Sequence, residues 1–204
     1  MIAQWRASKG IAITAEETRP FCTFRDCPRV REEIVRMSGN DSVPARRAVR
    51  IRGGALAMGP QRQQLRPMVT AHSAGSRALS SGDVVMDPAH YSAAHVHEHA
   101  EIIVRILDGF AATVTWDPDG TVHLTRHQAG EDVYVPPGVP HAAINLSRSN
   151  PVLAWEVRTD RDFNADVIPR PDLDTAIPEL AQQVQDEHLD RVRAAQARGE
   201  FPWF

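Results

Sequence analysis

The chain has 204 residues, 42% of them hydrophobic, and a formal net charge of −3 from 23 basic and 26 acidic side chains. A chain of that size and composition can bury a core as one principal domain, and no run approaches the roughly 18 apolar residues that a membrane span needs. The opening stretch from Met1 to Arg6 lacks the basic-then-apolar pattern of a secretory signal, so a cytoplasmic location is expected.

Charge and cysteine placement exclude other classes. Residues 1–70 carry 13 basic and 6 acidic side chains (+7), and the remaining 134 carry 10 and 20 (−10). A basic arm ahead of an acidic body can serve nucleic acid, but Arg46, Arg47, Arg50 and Arg52 have no interleaved aromatics and no helix-turn-helix around them. A solvated leader is the plainer reading, and no nucleic-acid partner is expected. Cys22 and Cys27, with four residues between them and no nearby histidine, form neither a usual zinc pattern nor a disulfide framework.

Three regions follow in chain order: a flexible basic leader over 1–44, a β-barrel over 45–165, and a linker, helix and aromatic tail over 166–204. Within the leader one short helix is expected from Pro28 to Gly39, and Met37 reads as the native start, with residues 1–36 an extension. Strands are expected from about Ala48: Ala48 to Arg52, Met68 to Ala71, Arg77 to Leu79, and Val84 to Met86, with a turn through Ser80, Ser81, Gly82 and Asp83. A long strand from Ala94 to Leu107 ends at Asp108-Gly109. Ala111 to Trp116 and Thr121 to Arg126 flank Asp117-Pro118-Asp119-Gly120 and should pair as a hairpin. Asp132 to Val135, His141 to Asn145 and Val152 to Arg158 complete the series. A helix is expected next, capped by Asp174 or Thr175, with Pro178 in its first turn and Gly199 as its stop. Its stripe of Leu180, Val184, Val192 and Ala195 should dock. The tail Phe201-Pro202-Trp203-Phe204 should pack on the barrel or on a sister subunit, and a two-fold homodimer is the default assembly.

Two clusters carry chemistry. Residues 95–101 read His-Val-His-Glu-His-Ala-Glu, and along a strand residues two apart share a face, so His95, His97 and Glu101 converge if the segment stays regular. His99 has the same parity and is the preferred proton-transfer residue, a neutral imidazole beside the ligands. The second cluster is Gly130, Pro136, Gly138, His141 and Asn145, where Pro136, Pro137, Gly138 and Pro140 force a tight turn just before His141. Asn145 reads as structural, its amide satisfying backbone groups.

These two motifs, with 20 residues between Gly109 and Gly130, resemble the paired signatures of the cupin superfamily. The resemblance covers about residues 65 to 160. It implies an all-β fold, a double-stranded β-helix (jelly-roll) barrel, here with a C-terminal α-helix, and a small single-domain metal-binding member. It further implies His95, His97, Glu101 and His141 as metal ligands. Two departures stand out: Ala89 occupies the usual glycine position six residues before His95, and seven residues rather than six separate Glu101 from Gly109. One extra residue is what a β-bulge absorbs, so the facing of side chains after Glu101 stays open. Arg105 is a candidate for a substrate carboxylate if it faces inward.

Three imidazoles and a carboxylate suit a divalent first-row metal, iron first, with manganese, nickel or zinc as alternatives. The expected function is a metal-dependent oxygenase of the Fe(II) type acting on a small oxygen-rich organic molecule. The alternatives are a non-oxidative isomerase, decarboxylase or hydrolase, and a binding protein without turnover. His90, Tyr91, His123, His127 and Tyr134 are further proton-transfer candidates, each with a packing or surface role as its plainer reading.

Overall fold

A computed structural model describes residues 48–200. The leader helix, the Met37 start and the aromatic tail fall outside the described residues.

Among the described residues eleven strands form two antiparallel sheets. In chain order they are β1 (Ala57–Met58), β2 (Gln64–Val69), β3 (Ser80–Met86), β4 (His95–His97), β5 (Ile102–Asp108) and β6 (Phe110–Trp116), then β7 (Val122–Gln128), β8 (Asp132–Val135), β9 (His141–Asn145), β10 (Val152–Arg158) and β11 (Val167–Pro169). The six-stranded sheet runs β1-β2-β3-β10-β5-β8 and the five-stranded sheet β11-β4-β9-β6-β7. A one-turn helix α1 (Ala71–Ala74) follows β2, and a long helix α2 (Ile177–Ala197) follows β11. This is the all-β double-sheet architecture with a C-terminal helix that the sequence pattern implies.

Two apolar clusters hold these layers together. Between the sheets lie Leu65, Val84, Met86, Ile106, Ala111, Val152 and Ala154. On the other face of the five-stranded sheet, Ala112, Val114, Ala142 and Ile144 pack with Ile177, Ala181 and Val184. The alternation along β6 and β9 therefore serves two cores, and both faces of those strands are buried. The docking stripe of α2 is Ile177, Ala181 and Val184, at the i, i+4, i+7 spacing of one helix face; of the expected stripe only Val184 is buried. Asp174 does not cap the helix. Its carboxylate accepts from the Ala94 N–H (2.7 Å) and from Arg62 (2.9 Å), tying the start of the helix to the strand that carries His95.

Arg77 to Leu79 forms no strand, Ala71 opens α1 rather than closing a strand, and three further local expectations differ from the structure. Ala48 to Arg52 has no strand. Ser80 to Asp83, which reads as a turn, is the first half of β3, because β3 is a central strand paired on both sides, with β2 and with β10. Gly82 is needed there for room: a Cβ on it would come within 2.9 Å of the Phe163 ring. The third difference bears on the site. The expected strand from Ala94 to Leu107 is two strands, β4 in one sheet and β5 in the other, separated by a bend at Glu98 and His99.

Candidate metal centre

His95 and His141 are direct cross-strand partners on β4 and β9, and His97 lies two residues along β4 on the same face. The three rings gather tightly, with centroids 4.3 Å (His95–His141), 5.2 Å (His95–His97) and 5.5 Å (His97–His141) apart. One nitrogen from each ring lies within 4.8 Å of the other two. All three residues are buried.

The orientation of each ring is fixed by its Nδ1. That of His95 is 2.9 Å from the Ala93 carbonyl, and that of His141 is 2.9 Å from the Val139 carbonyl. That of His97 is 2.8 Å from the Asp166 carboxylate. With Nδ1–H donating in each case, the tautomer is set and the Nε2 lone pairs are left for an ion, the arrangement that supports metal-ligating histidines. The turn before His141 is anchored to the same strand: Gly138, at φ 75°, donates its N–H to the His97 carbonyl at 2.7 Å. Asn145 donates to the carbonyls of Asp87 and Asn150 (both 2.9 Å) and accepts from the Ser147 N–H, so it braces the loop ends as a structural amide.

Electrostatics agree with a site built for neutral imidazoles. Burial lowers all three histidines: His95 well below its ordinary value, and His97 and His141 to about 4, with the Arg158 charge adding to the effect at each. Asp166 is partly desolvated, which works upward, yet the bond to His97 and the Ala100 and His99 N–H groups outweigh this and hold it below the ordinary carboxylate value. The donor set thus fits a divalent first-row ion.

The other residues singled out from the sequence lie elsewhere. Glu101 is exposed; it sits just before β5, where its N–H donates to the Thr159 hydroxyl, and is not gathered with the three histidines. His99 is 82% exposed and 3.5 Å from Glu98, away from the cavity. Strand parity fails for both because the chain bends out of one sheet and into the other between His97 and Ile102. The first residue of β5, Ile102, is 2% exposed and takes the inward position beside the histidines. Arg105 points outward and pairs with Asp132 at 2.8 Å. His123 is exposed and pairs with Asp117.

Sequence reasoning missed the charged interior of β10. Val152, Ala154, Glu156 and Arg158 alternate inward, so this strand carries a carboxylate and a guanidinium into the barrel; Arg158 is 1% exposed. Its Nε donates to Glu156, its Nη1 donates to the Asn164 side-chain carbonyl at 2.7 Å, and its guanidinium lies 4.6 Å from the centre of the Phe163 ring. The period-2 pattern was the available signal. His127, named above only as a weak candidate, is buried against the same cavity. Burial lowers it to about 4, and its Nδ1 has no hydrogen-bond partner among the described residues.

The cavity beside the histidines has a volume of about 60 Å³ and walls that are largely apolar, including Val84, Val104 and Ile106. A larger groove of about 520 Å³ lies between α2 and the 146–150 loop, but among the described residues it contains no cluster of ligating groups. Size alone would favour the groove; the chemistry belongs to the smaller space.

A jelly-roll of two antiparallel sheets with a buried histidine cluster on neighbouring strands defines the class of metal-site β-barrels. A cupin family profile matches residues 68–190, and the chain belongs to the cupin family. No curated protein sequence matches it. Among solved structures it is similar in fold to a deletion mutant of Bacillus subtilis oxalate decarboxylase (18% identity, TM-score 0.50, 57% of this chain and 30% of that one). A structure of the same enzyme, described for its Mn(II) centres, matches equally (18%, TM-score 0.50, 57% and 30%). A third, determined at pH 4.6, gives 19% identity, a TM-score of 0.47, and 52% and 27% coverage. The match spans less than a third of those longer chains.

Proposed function

We propose that this cupin is a metal-dependent enzyme whose divalent ion is held by His95, His97 and His141, without Glu101, and which acts on a small oxygen-rich molecule by non-oxidative chemistry. The convergence of three buried imidazoles, each with Nδ1 committed elsewhere, carries the metal site on which this reading rests. When bound, a divalent ion supplies a Lewis acid that polarises an oxygen of the substrate. The chain does the rest. Asp166 and the two backbone carbonyls hold the rings; the apolar walls exclude water; Glu156, Arg158 and His127, with Gln63 and Thr113, are the polar groups that line the cavity beside the three histidines. The likeness in fold to an oxalate decarboxylase, carried over as an analogy, is what favours non-oxidative chemistry.

An iron-dependent oxygenase is the second reading. The apolar lining beside the histidines favours it, because dioxygen partitions into such space. Turnover of a panel of small hydroxy, oxo and carboxylic acids by metal-loaded protein, run with and without oxygen, separates the two. Product formed equally under strict anaerobiosis supports non-oxidative chemistry. Product that appears only with stoichiometric oxygen uptake transfers the reading to the oxygenase, and no turnover in either arm favours a binding protein.

Among the described residues no helix is long and apolar enough to cross a membrane, and our reading places the enzyme in the cytoplasm. We also read it as a homodimer. Ile103, Leu107, Leu153, Trp155 and Tyr134 leave an apolar outer face on the six-stranded sheet, between 38% and 56% exposed, which a second copy would cover.

A further inference from the structure

We propose that Arg158 is the ligand-anchoring residue of the barrel, and that the cavity takes a small carboxylate or similar planar oxyanion held between this guanidinium and the three-histidine centre. The inference deepens the functional reading above and rests on its metal.

Position is the first argument. Arg158 pairs across the sheet with Ile102, the inward residue beside the histidines, and both line the cavity that the histidines line. Its charge acts on all three imidazoles.

The second argument is how the side chain is held. A guanidinium presents five N–H donors in a flat fork. Here Nε is taken by Glu156 and Nη1 by Asn164, while Nη2 makes no hydrogen bond among the described residues. The mount is itself rigid: Asn164, at φ 70°, exchanges reciprocal amide bonds with the buried Gln61 (3.0 and 3.1 Å), and Phe163 is seated in the space that Gly82 leaves. A buried cation mounted this firmly, with one donor edge uncommitted beside a ligand cavity, is prepared for an acceptor that arrives with the ligand.

Charge balance is the third. Ligating imidazoles are neutral, and Glu156 and Arg158 cancel. Asp166, behind His97, offers one negative charge. A divalent ion therefore leaves at least one positive charge uncompensated in an apolar enclosure, where an isolated charge is costly. Ile102 supplies no carboxylate at the inward position. An anionic ligand supplies the missing charge. The volume of about 60 Å³ limits that ligand to a few non-hydrogen atoms, on the scale of a one- or two-carbon acid.

The test uses the full chain loaded with Co(II), its metal content measured first, and follows the visible Co(II) spectrum during titration with oxalate and separately with imidazole, an uncharged metal ligand. Glu156→Gln with Arg158→Met, made together, removes the fork without stranding a buried charge; Arg158→Lys keeps the charge and loses the fork. We expect oxalate to bind at least tenfold more weakly to the double variant and by an intermediate factor to Arg158→Lys, with imidazole affinity and metal content unchanged. Oxalate affinity equal to that of the native protein overturns the proposal while the metal site stands, as does equal weakening of both probes. A native chain that takes up no metal overturns the functional reading and this inference with it.

Discussion

The two ends of the five-stranded sheet's environment are built on opposite principles. Against α2, the outer face packs Ala112, Val114, Ala142 and Ile144 on Ile177, Ala181 and Val184, and nothing there needs a partner of a particular kind. On the inner face, β4 and β9 present His95, His97 and His141 to Glu156 and Arg158 across the barrel, and each of these five side chains has a specific polar partner. The outer layer is tolerant because apolar contacts are non-directional. The inner layer is intolerant because a buried polar group left alone costs more than the pair contributed.

Mutations should expose that contrast. The largest loss of stability is expected from Glu156→Leu, which strands the Arg158 charge inside the barrel and should cost about 3–5 kcal/mol in denaturant melts. Combining it with Arg158→Met should recover most of that loss; a double variant as unstable as the single would break the comparison. In the outer layer, Ile144→Ala should cost about 2–5 kcal/mol, and pairing it with a change on the distant β3 should give additive losses. Asp166→Asn should leave the melt nearly unchanged but weaken metal binding about 10–100-fold, as read by competition with a chelator.

The smallest effect expected is on pH dependence. In the folded chain burial holds His127 at about 4, against an ordinary value of 6.5. Between those values the unfolded chain binds more protons than the folded one, so the stability of the metal-free protein should be complete above pH 6.5 and fall as pH drops toward 4. His127→Gln should make that fall shallower, the part that remains coming from His95, His97 and His141. An identical pH profile for both proteins would contradict the buried position of this ring.

The family-specific turn was legible because it is local: proline and glycine before His141 dictate their own geometry, and β6, β8, β9 and β10 appear where alternation places them. The hairpin at Asp117 to Gly120 was equally plain, its Gly120 at φ 87°. What sequence could not show was decided by tertiary pairing. Ser80 to Asp83 is a strand only because β2 and β10 flank it. Strand parity carried His95 and His97 correctly to one face but failed four residues on, where the chain changes sheets and Glu101 and His99 turn outward. Asp166 lies 69 residues from the histidine it orients, and no spacing rule connects them. Arg158 was readable in part, as a charge at an inward position of a strand otherwise lined by Val152 and Ala154.

Central to the proposed function is a divalent ion held on the protein side by three histidines alone. Elemental analysis of purified native protein, of His95→Ala, of His141→Ala and of Glu101→Ala tests it in one experiment. Close to one ion per native chain is expected, with little or none in either histidine variant and full occupancy in Glu101→Ala. Metal retained when His95 or His141 is removed, or lost when Glu101 is, would contradict it.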